Sequence, residues 1–344
     1  MRLRYDKVVG TGGIGTGLLF HSLSNDTLGR SESRLVELSD ARDYCKLHIV
    51  FHYVSTLLSP DAAVYPIGCV GNDMYGKSLL SEMRQAGMDT SYVKTDESLP
   101  TVISICLQYP DKEGCNFTAA NGAGMRVTTQ YVSACVQKMA MDARTIVAAI
   151  PEVSVDSRVA LLEAGRQSGA FCVLSVPVSE AAAFEKAQAY RYCDLLAVNE
   201  EEARAIAHST GDFAEVAEKL CERLGHFNEK ILLLMTCGKA GAITVSDGHV
   251  ESIPSLPAQA VNTTGAGDAC LGGTLAGLAL GLPFQKGVND RRFGETRITS
   301  AAELGTLCAG MAIESEDSIA LHVNRKNILD KIRQNGWPAA ERFI

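Results

Sequence analysis

Residues 261 to 281 read VNTTGAGDACLGGTLAGLALG. Gly265, Ala266 and Gly267 are small enough for close backbone approach and unusual φ values. The ACLGGTLAGLAL that follows has the small, apolar character of a helix packed tightly on a sheet. A helix opening there turns free N–H groups and a positive dipole end toward an anion. Asp268 stands at the edge of that hole. A carboxylate beside a phosphate-attracting nest is electrostatically awkward unless it has a task. Accepting the proton of a hydroxyl that attacks phosphorus is a task that fits, with the nest stabilising the transferred charge. The plain alternative is a glycine-rich helix start with an ordinary Asp, and four residues do not decide between them.

Outward from this segment, short apolar runs alternate with helical patterns. ARTIVAAI (143–150), FCVLSV (171–176), CDLLAVN (193–199) and KILLLMT (230–236) read as buried strands. SRVALLEAGRQSG reads as a crossover helix, and AITVSDGHVESI as a hairpin around Asp247-Gly248. That alternation predicts a parallel sheet covered on both faces. Before residue 125 the pattern changes. TVISICLQYP and CNFTAA flank the turn DKEG as two antiparallel strands, and RLVEL (34–38) offers another. These predict a small sheet projecting as a lid, with its strands drawn from about 11–40 and 99–121. No linker or repeat divides residues 1–344, so one domain with an inserted lid is expected.

Composition bounds the function. A formal charge of −8 disfavours broad attraction to nucleic acid. No apolar run reaches membrane-span length, and the N-terminus lacks the core of a signal peptide. Eleven cysteines without a C-x-x-C pair suggest reduced core thiols. A cytoplasmic protein without membrane or nucleic-acid partners is the expectation.

The longer pattern N-T-T-G-A-G-D-A-C-x-G-G resembles the C-terminal signature of the ribokinase-like (PfkB) carbohydrate kinases. TCGKAG (236–241) resembles that family's T-x-G-x-x-G nucleotide loop, and NEEE (199–202) its N-x-x-E motif. CVGNDMYGKSLLSEMRQAGMD (69–89) resembles its G-x-D-x-x-G segment, and all four occur in the family's order. The resemblance implies a three-layer α/β sandwich with a mostly parallel central sheet and a β-sheet lid. It implies an ATP-dependent kinase acting on a hydroxyl of a sugar, sugar acid or nucleoside. Asp268 is then the base, and the backbone of Gly265, Ala266 and Gly267 the anion hole. Asn199 and Glu202 organise Mg²⁺ and phosphates through water, while Thr236, Gly238, Gly241 and Thr264 meet the nucleotide. Gly12, Gly13, Gly15 and Asn121 are the implied substrate contacts. Asn262 stands where the family signature begins with Asp, in a region that holds K⁺ in some relatives.

Two substrate motifs are missing. Gly15 occupies the place of an Asp that holds substrate hydroxyls, and DYCKLHIVFHYVSTLL (43–58) replaces a G-G-x-x-x-N segment. In that stretch His48 and His52 are i, i+4 on a plausible helix. Two histidines without a third ligand are read as structural rather than metal-binding. A substrate contact by Lys46 or His48 is the second expectation there.

The stretch VVGTGGIGTGLLF (8–20) also satisfies G-x-G-x-x-G through Gly10, Gly12 and Gly15. A dinucleotide fold requires a helix to follow, yet Asn25, Asp26 and Gly29 arrive too soon for one. A lid strand is expected instead, with the glycines allowing substrate close approach. Beside the kinase stands a reading as a nucleotide-binding sensor that has lost phosphorylation, and exposed lid strands suggest a homodimer.

Overall fold

The computed structural model describes residues 3–111, 114–286 and 298–334. Thirteen strands build two sheets. In chain order they are β1 (Lys7–Thr11), β2 (Gly15–Ser22), β3 (Val36–Tyr44), β4 (Ala63–Gly71), β5 (Val93–Asp96), β6 (Val102–Gln108) and β7 (Gly114–Thr118), then β8 (Thr145–Ala149), β9 (Phe171–Ser175), β10 (Leu195–Asn199), β11 (Leu232–Thr236), β12 (Ala242–Ser246) and β13 (His249–Ile253). The large sheet runs β13-β12-β11-β10-β9-β8-β1-β4-β5, and the small one β3-β2-β6-β7.

The large sheet is parallel except for the β12–β13 hairpin at one edge. Its strands are apolar on both faces because both faces are covered. Val8 belongs to one core and Val9 to the other, as do Leu195 and Leu196. The helices Lys46–Leu58, Ala266–Leu280 and Ala301–Ala312 fill one side, and Val155–Gln167 and Phe213–Gly225 the other. This is the three-layer arrangement expected from the sequence. Within the first layer, a Cβ on Gly272 or Gly273 would stand 2.6 Å from Val50 O or Cys308 Sγ. The glycine pair thus lets three helices close to backbone contact and fixes the start of the Ala266–Leu280 helix.

Chain order reverses about β1, whose neighbours are β4 on one side and β8 on the other. Ligands bind beyond the carboxyl ends of strands at such a switch point. The small sheet leaves the large one there, because only Gly12–Ile14 separate β1 from β2. Gly15–Ser22 is a strand and not a helix, so the dinucleotide reading fails on geometry. The strand expected at 34–38 runs on to Tyr44. Pairing with β2 carries it through the acidic SDARD, past a register shift between Leu18 and Phe20. The hairpin at Asp247-Gly248 turns through two positive φ values, 48° and 74°. Most of the expanded loop expected at 285–300 lies outside the described residues.

Candidate active site

The site collects at the carboxyl ends of β1, β8, β10 and β11. At β11, TCGKAG closes on itself: Cys237 N donates to Gly241 O at 2.8 Å and Gly241 N to Gly238 O at 3.0 Å. Gly241 has φ 97°, and a Cβ there would overlap Ile253 O. Gly238 is exposed, with nothing near its missing side chain. Thr236 Oγ1 ends the strand beside Gly267, 3.6 Å from where a Cβ would sit. Two of the sequence motifs therefore meet.

The second motif is a loop stapled at its base. Asn262 Oδ1 accepts from Thr264 N at 2.9 Å, while its Nδ2 donates to Glu316 O at 2.8 Å. The cation candidate is thus a neutral side chain engaged at both ends, and Thr264 is exposed beside it. Gly265 turns into the helix with φ 79°, in a place where a Cβ would overlap Ser318 O. The N–H of Ala266 makes a long bond of 3.3 Å to Thr263 O. Those of Gly267 and Asp268, in the first turn, have no intrahelical acceptor.

At β10, Asn199 and Glu202 form a reciprocal capping box. Asn199 Oδ1 accepts from Glu202 N at 2.8 Å, and Glu202 Oε2 from Asn199 N at 2.8 Å. The expectation of two side chains on one helix face is corrected: Asn199 is the cap and Glu202 the third residue of the turn. Glu202 is buried, so it is no solvated acidic helix start. Burial raises its pKa, while the Lys46 charge opposes the rise.

Lys46 joins these parts. It is the first residue of the Lys46–Leu58 helix, and its N–H donates to Glu152 Oε2 at 2.9 Å. The Asp268 carboxylate, followed by those of Glu202, Glu152 and Asp43, holds its ammonium well above the ordinary lysine range. Among the described residues no ion pair as short as 4.0 Å joins it to any of the four. The ammonium sits among them, bonded to none. Asp268 has its pKa raised by burial and by Asp43, with Lys46 pulling the other way.

Glu152 follows β8 with φ 77°, a conformation that costs a side-chain residue about 1–3 kcal/mol. Such strain persists where the surroundings require it, and here it turns the carboxylate under Lys46. Burial pushes that carboxyl up to about 7 against the Lys46 charge and N–H.

The glycines of the first turn need correcting. A Cβ at Gly12 would stand 2.9 Å from both Ile150 Cβ and Leu47 Cβ, and one at Gly15 2.8 Å from Cys45 Sγ. A Cβ at Gly13 would overlap the Glu152 carboxylate. The close approach they permit is made by the chain's own side chains, where substrate was expected. Asn121 is exposed in the turn after β7. His48 and His52 are both buried, and His48 packs on the Tyr44 ring at 4.9 Å, away from the carboxylates. Among the described residues there is no group of three metal-binding side chains. No described helix is long and apolar enough to cross a membrane.

Sequence reasoning reached Asp268, Glu202 and the glycine loops, and named Lys46 only as one of two candidates. It missed Asp43 and Glu152. Glu152 carried a signal, an acid two residues beyond the end of a buried strand; Asp43 carried none.

Known proteins agree with this architecture. A family model described as pfkB family carbohydrate kinase matches residues 50–324. A fructokinase of Klebsiella pneumoniae is 29% identical over 227 residues, covering 63% of this chain and 72% of that protein. A solved ribokinase from Giardia lamblia shares the fold with a TM-score of 0.77 at 18% identity, over 94% of this chain and 99% of its own. A Burkholderia thailandensis nucleoside kinase, solved in complex with inosine, gives 0.73 at 17% identity over 96% and 99%. The chain belongs to the pfkB family of carbohydrate kinases and is an ATP-dependent kinase of that family.

Proposed function

We propose that this kinase transfers the γ-phosphoryl group of ATP to a hydroxyl of a sugar or nucleoside, with Asp268 as the base. The observation that carries the reading is one arrangement: the Asp268 carboxylate, unbonded first-turn N–H groups and the Lys46 ammonium converge on one point. Asp268 takes the proton from the acceptor hydroxyl as its oxygen bonds to the γ-phosphorus. The bond to the β–γ bridging oxygen breaks, and ADP leaves. The backbone of Gly265, Ala266 and Gly267, with Lys46, receives the charge on the transferred phosphoryl oxygens. A base whose pKa lies above the ordinary carboxylate range is better matched to neutral pH than a solvated Asp.

Thr236, Gly238, Gly241 and Thr264 form the nucleotide end. Glu202, oriented by its bond from Asn199 N, presents carboxylate oxygen, the donor chemistry that Mg²⁺ takes through water. Mg²⁺ bound there neutralises charge on the bridging phosphate oxygens. The small sheet acts as the lid that excludes competing water. The relatives' names, a fructokinase, a ribokinase and a nucleoside kinase with inosine, favour sugar or nucleoside acceptors. Retention of the base favours catalysis over the sensor reading. A homodimer belongs to the same proposal: Leu18, Ile105 and Phe117 form an exposed cross-strand row on the small sheet, and sedimentation as a monomer would remove it.

The test is ADP release from ATP and Mg²⁺ across sugars, sugar acids, sugar phosphates and nucleosides. Turnover that depends on one acceptor class is expected. ATP binding without turnover on any acceptor overturns the catalytic reading in favour of a sensor.

A further inference from the structure

The transfer chemistry leaves one buried carboxylate of the site without a task. Asp43, next to last in β3, is 6% exposed. Its Oδ2 accepts from the Cys106 thiol at 2.9 Å, and its Oδ1 has no hydrogen-bond partner. A thiol is a weak donor, so this anion is poorly served for its burial, and buried charges persist when something pairs with them. The neighbouring Arg42 does not do so. It pairs with Glu82 at 2.7 Å and stacks over the Tyr44 ring at 5.1 Å.

The small sheet has made room for this carboxylate. Gly17 is in register with Asp43 on one side and Ser104 on the other. A Cβ at Gly17 would stand 2.7 Å from Asp43 Cβ and 2.9 Å from Ser104 Oγ. Only glycine leaves the space in which the carboxylate and the hydroxyl lie together. This space adjoins the reaction centre, since the charge of Asp43 acts on Lys46, on Asp268 and, together with Glu152, on the Cys45 thiol. Asp43 stands on the small sheet and Glu152 on the large one, so a molecule held by both joins lid to body.

We propose that Asp43 is the acceptor grip: its carboxylate receives a hydrogen bond from a non-reacting hydroxyl of an uncharged polyol and selects against anionic acceptors. The inference rests on the kinase reading above. Three carboxylates, Asp43, Glu152 and Asp268, surround this end, and the one ammonium among them is required by the transferred phosphoryl group. A carboxylate or phosphate on the acceptor meets repulsion with no cation left to answer it. A polyol brings donors, which the Asp43 oxygen lacks. Sugars and nucleosides fit, whereas sugar acids and sugar phosphates do not.

The test uses the full chain and matched acceptors: a sugar, its acid, its phosphate and its deoxy analogues. For Asp43→Asn, acceptor KM rises about 10- to 100-fold, the range for a hydrogen bond to a charged group, while ATP KM stays within about twofold. One deoxy analogue is a poor acceptor for the wild type but no poorer than its parent for Asp43→Asn, the signature of a direct pair. The anionic members are at least about tenfold poorer than the neutral sugar for the wild type, and the variant narrows that gap. An unchanged acceptor KM, or equal rises for acceptor and ATP, overturns the assignment while the kinase reading stands. If Asp43→Asn does not fold, the wild-type selectivity decides, and preference for an anionic acceptor overturns the proposal. Absence of wild-type turnover on every acceptor removes the kinase reading and this inference with it.

Discussion

The two ends of the site are built by opposite means. At the nucleotide end the backbone forms the binding surface: the turn at Gly238–Gly241 and the helix start at Gly265 present N–H groups, and their side chains are nearly absent. At the acceptor end, side chains from four separate segments converge: Asp43 from β3, Lys46 from the helix after it, Cys106 from β6 and Glu152 from beyond β8. A backbone site needs particular φ values at consecutive positions, so it leaves a contiguous glycine pattern. A side-chain site needs only that the fold deliver atoms to one place. The first conveys what all such transfers share, and the second conveys which molecule receives the phosphoryl group.

Lys46 is where the two ends meet, and its loss is the largest effect expected short of removing the base. Lys46→Met leaves Asp268, Glu202, Glu152 and Asp43 without their shared cation. We expect kcat/KM to fall about 10³-fold. Because Lys46 lowers the Asp268 pKa, the acid limb of the pH–rate profile should also move to higher pH. A profile that stays in place would separate Lys46 from the base and break the link between the two ends.

Gly265→Ala tests the backbone end. The new methyl group would overlap Ser318 O at a residue with φ 79°. A stability loss of about 1–3 kcal/mol and a fall in kcat of about 10²-fold are expected, read by denaturant melts and by turnover at saturating substrates. Wild-type turnover in this variant would show that the loop conformation is not needed.

Glu152→Gln probes the acceptor end through pH. The carboxyl titrates near 4.5 when unfolded and about 7 when folded. Between those values the folded chain holds a proton that the unfolded chain has released. The contribution of Glu152 to stability is therefore full below 4.5 and is lost as the pH rises through about 7. Gln abolishes that slope, so the melting temperature of the variant should gain on the wild type as pH rises across this window. A constant difference would mean that Glu152 is charged throughout.

The smallest effect lies behind the site. His48 is held neutral down to about 3 and His52 to about 4 by burial, against 6.5 when unfolded. Their contribution is complete above 6.5 and is lost as the pH falls toward the folded values, because only the unfolded chain takes up the protons. His48→Phe, which keeps a ring against Tyr44, should flatten the acid loss of stability by up to one proton. An unchanged acid slope would place a proton on His48 in the folded chain.

Legibility in the sequence followed the same division. The alternation of apolar runs and helical patterns fixed the layered sheet, because strands buried on both faces cannot be polar. The GAGD and TCGKAG turns were readable because glycine was required at consecutive positions. NEEE was readable as a pattern but not in its geometry, since an Asn-x-x-Glu sequence is also a capping box, and here it is one. Gly12, Gly13 and Gly15 were read as openings for substrate, while the fold fills them with Leu47, Ile150, Glu152 and Cys45. No local pattern identifies the occupant of a glycine's empty space. Asp43 lay in an acidic stretch like any exposed edge strand, and only its pairing with Gly17 brings it inside.

The most direct test of the account is Asp268→Asn at saturating ATP and acceptor, with ATP affinity measured by calorimetry on the same protein. The account predicts that kcat falls about 10²- to 10⁴-fold while ATP affinity stays within about twofold, because Asn keeps the shape and loses only the proton acceptor. Turnover within about tenfold of wild type would contradict it and send the search for the base to Glu152 or Glu202.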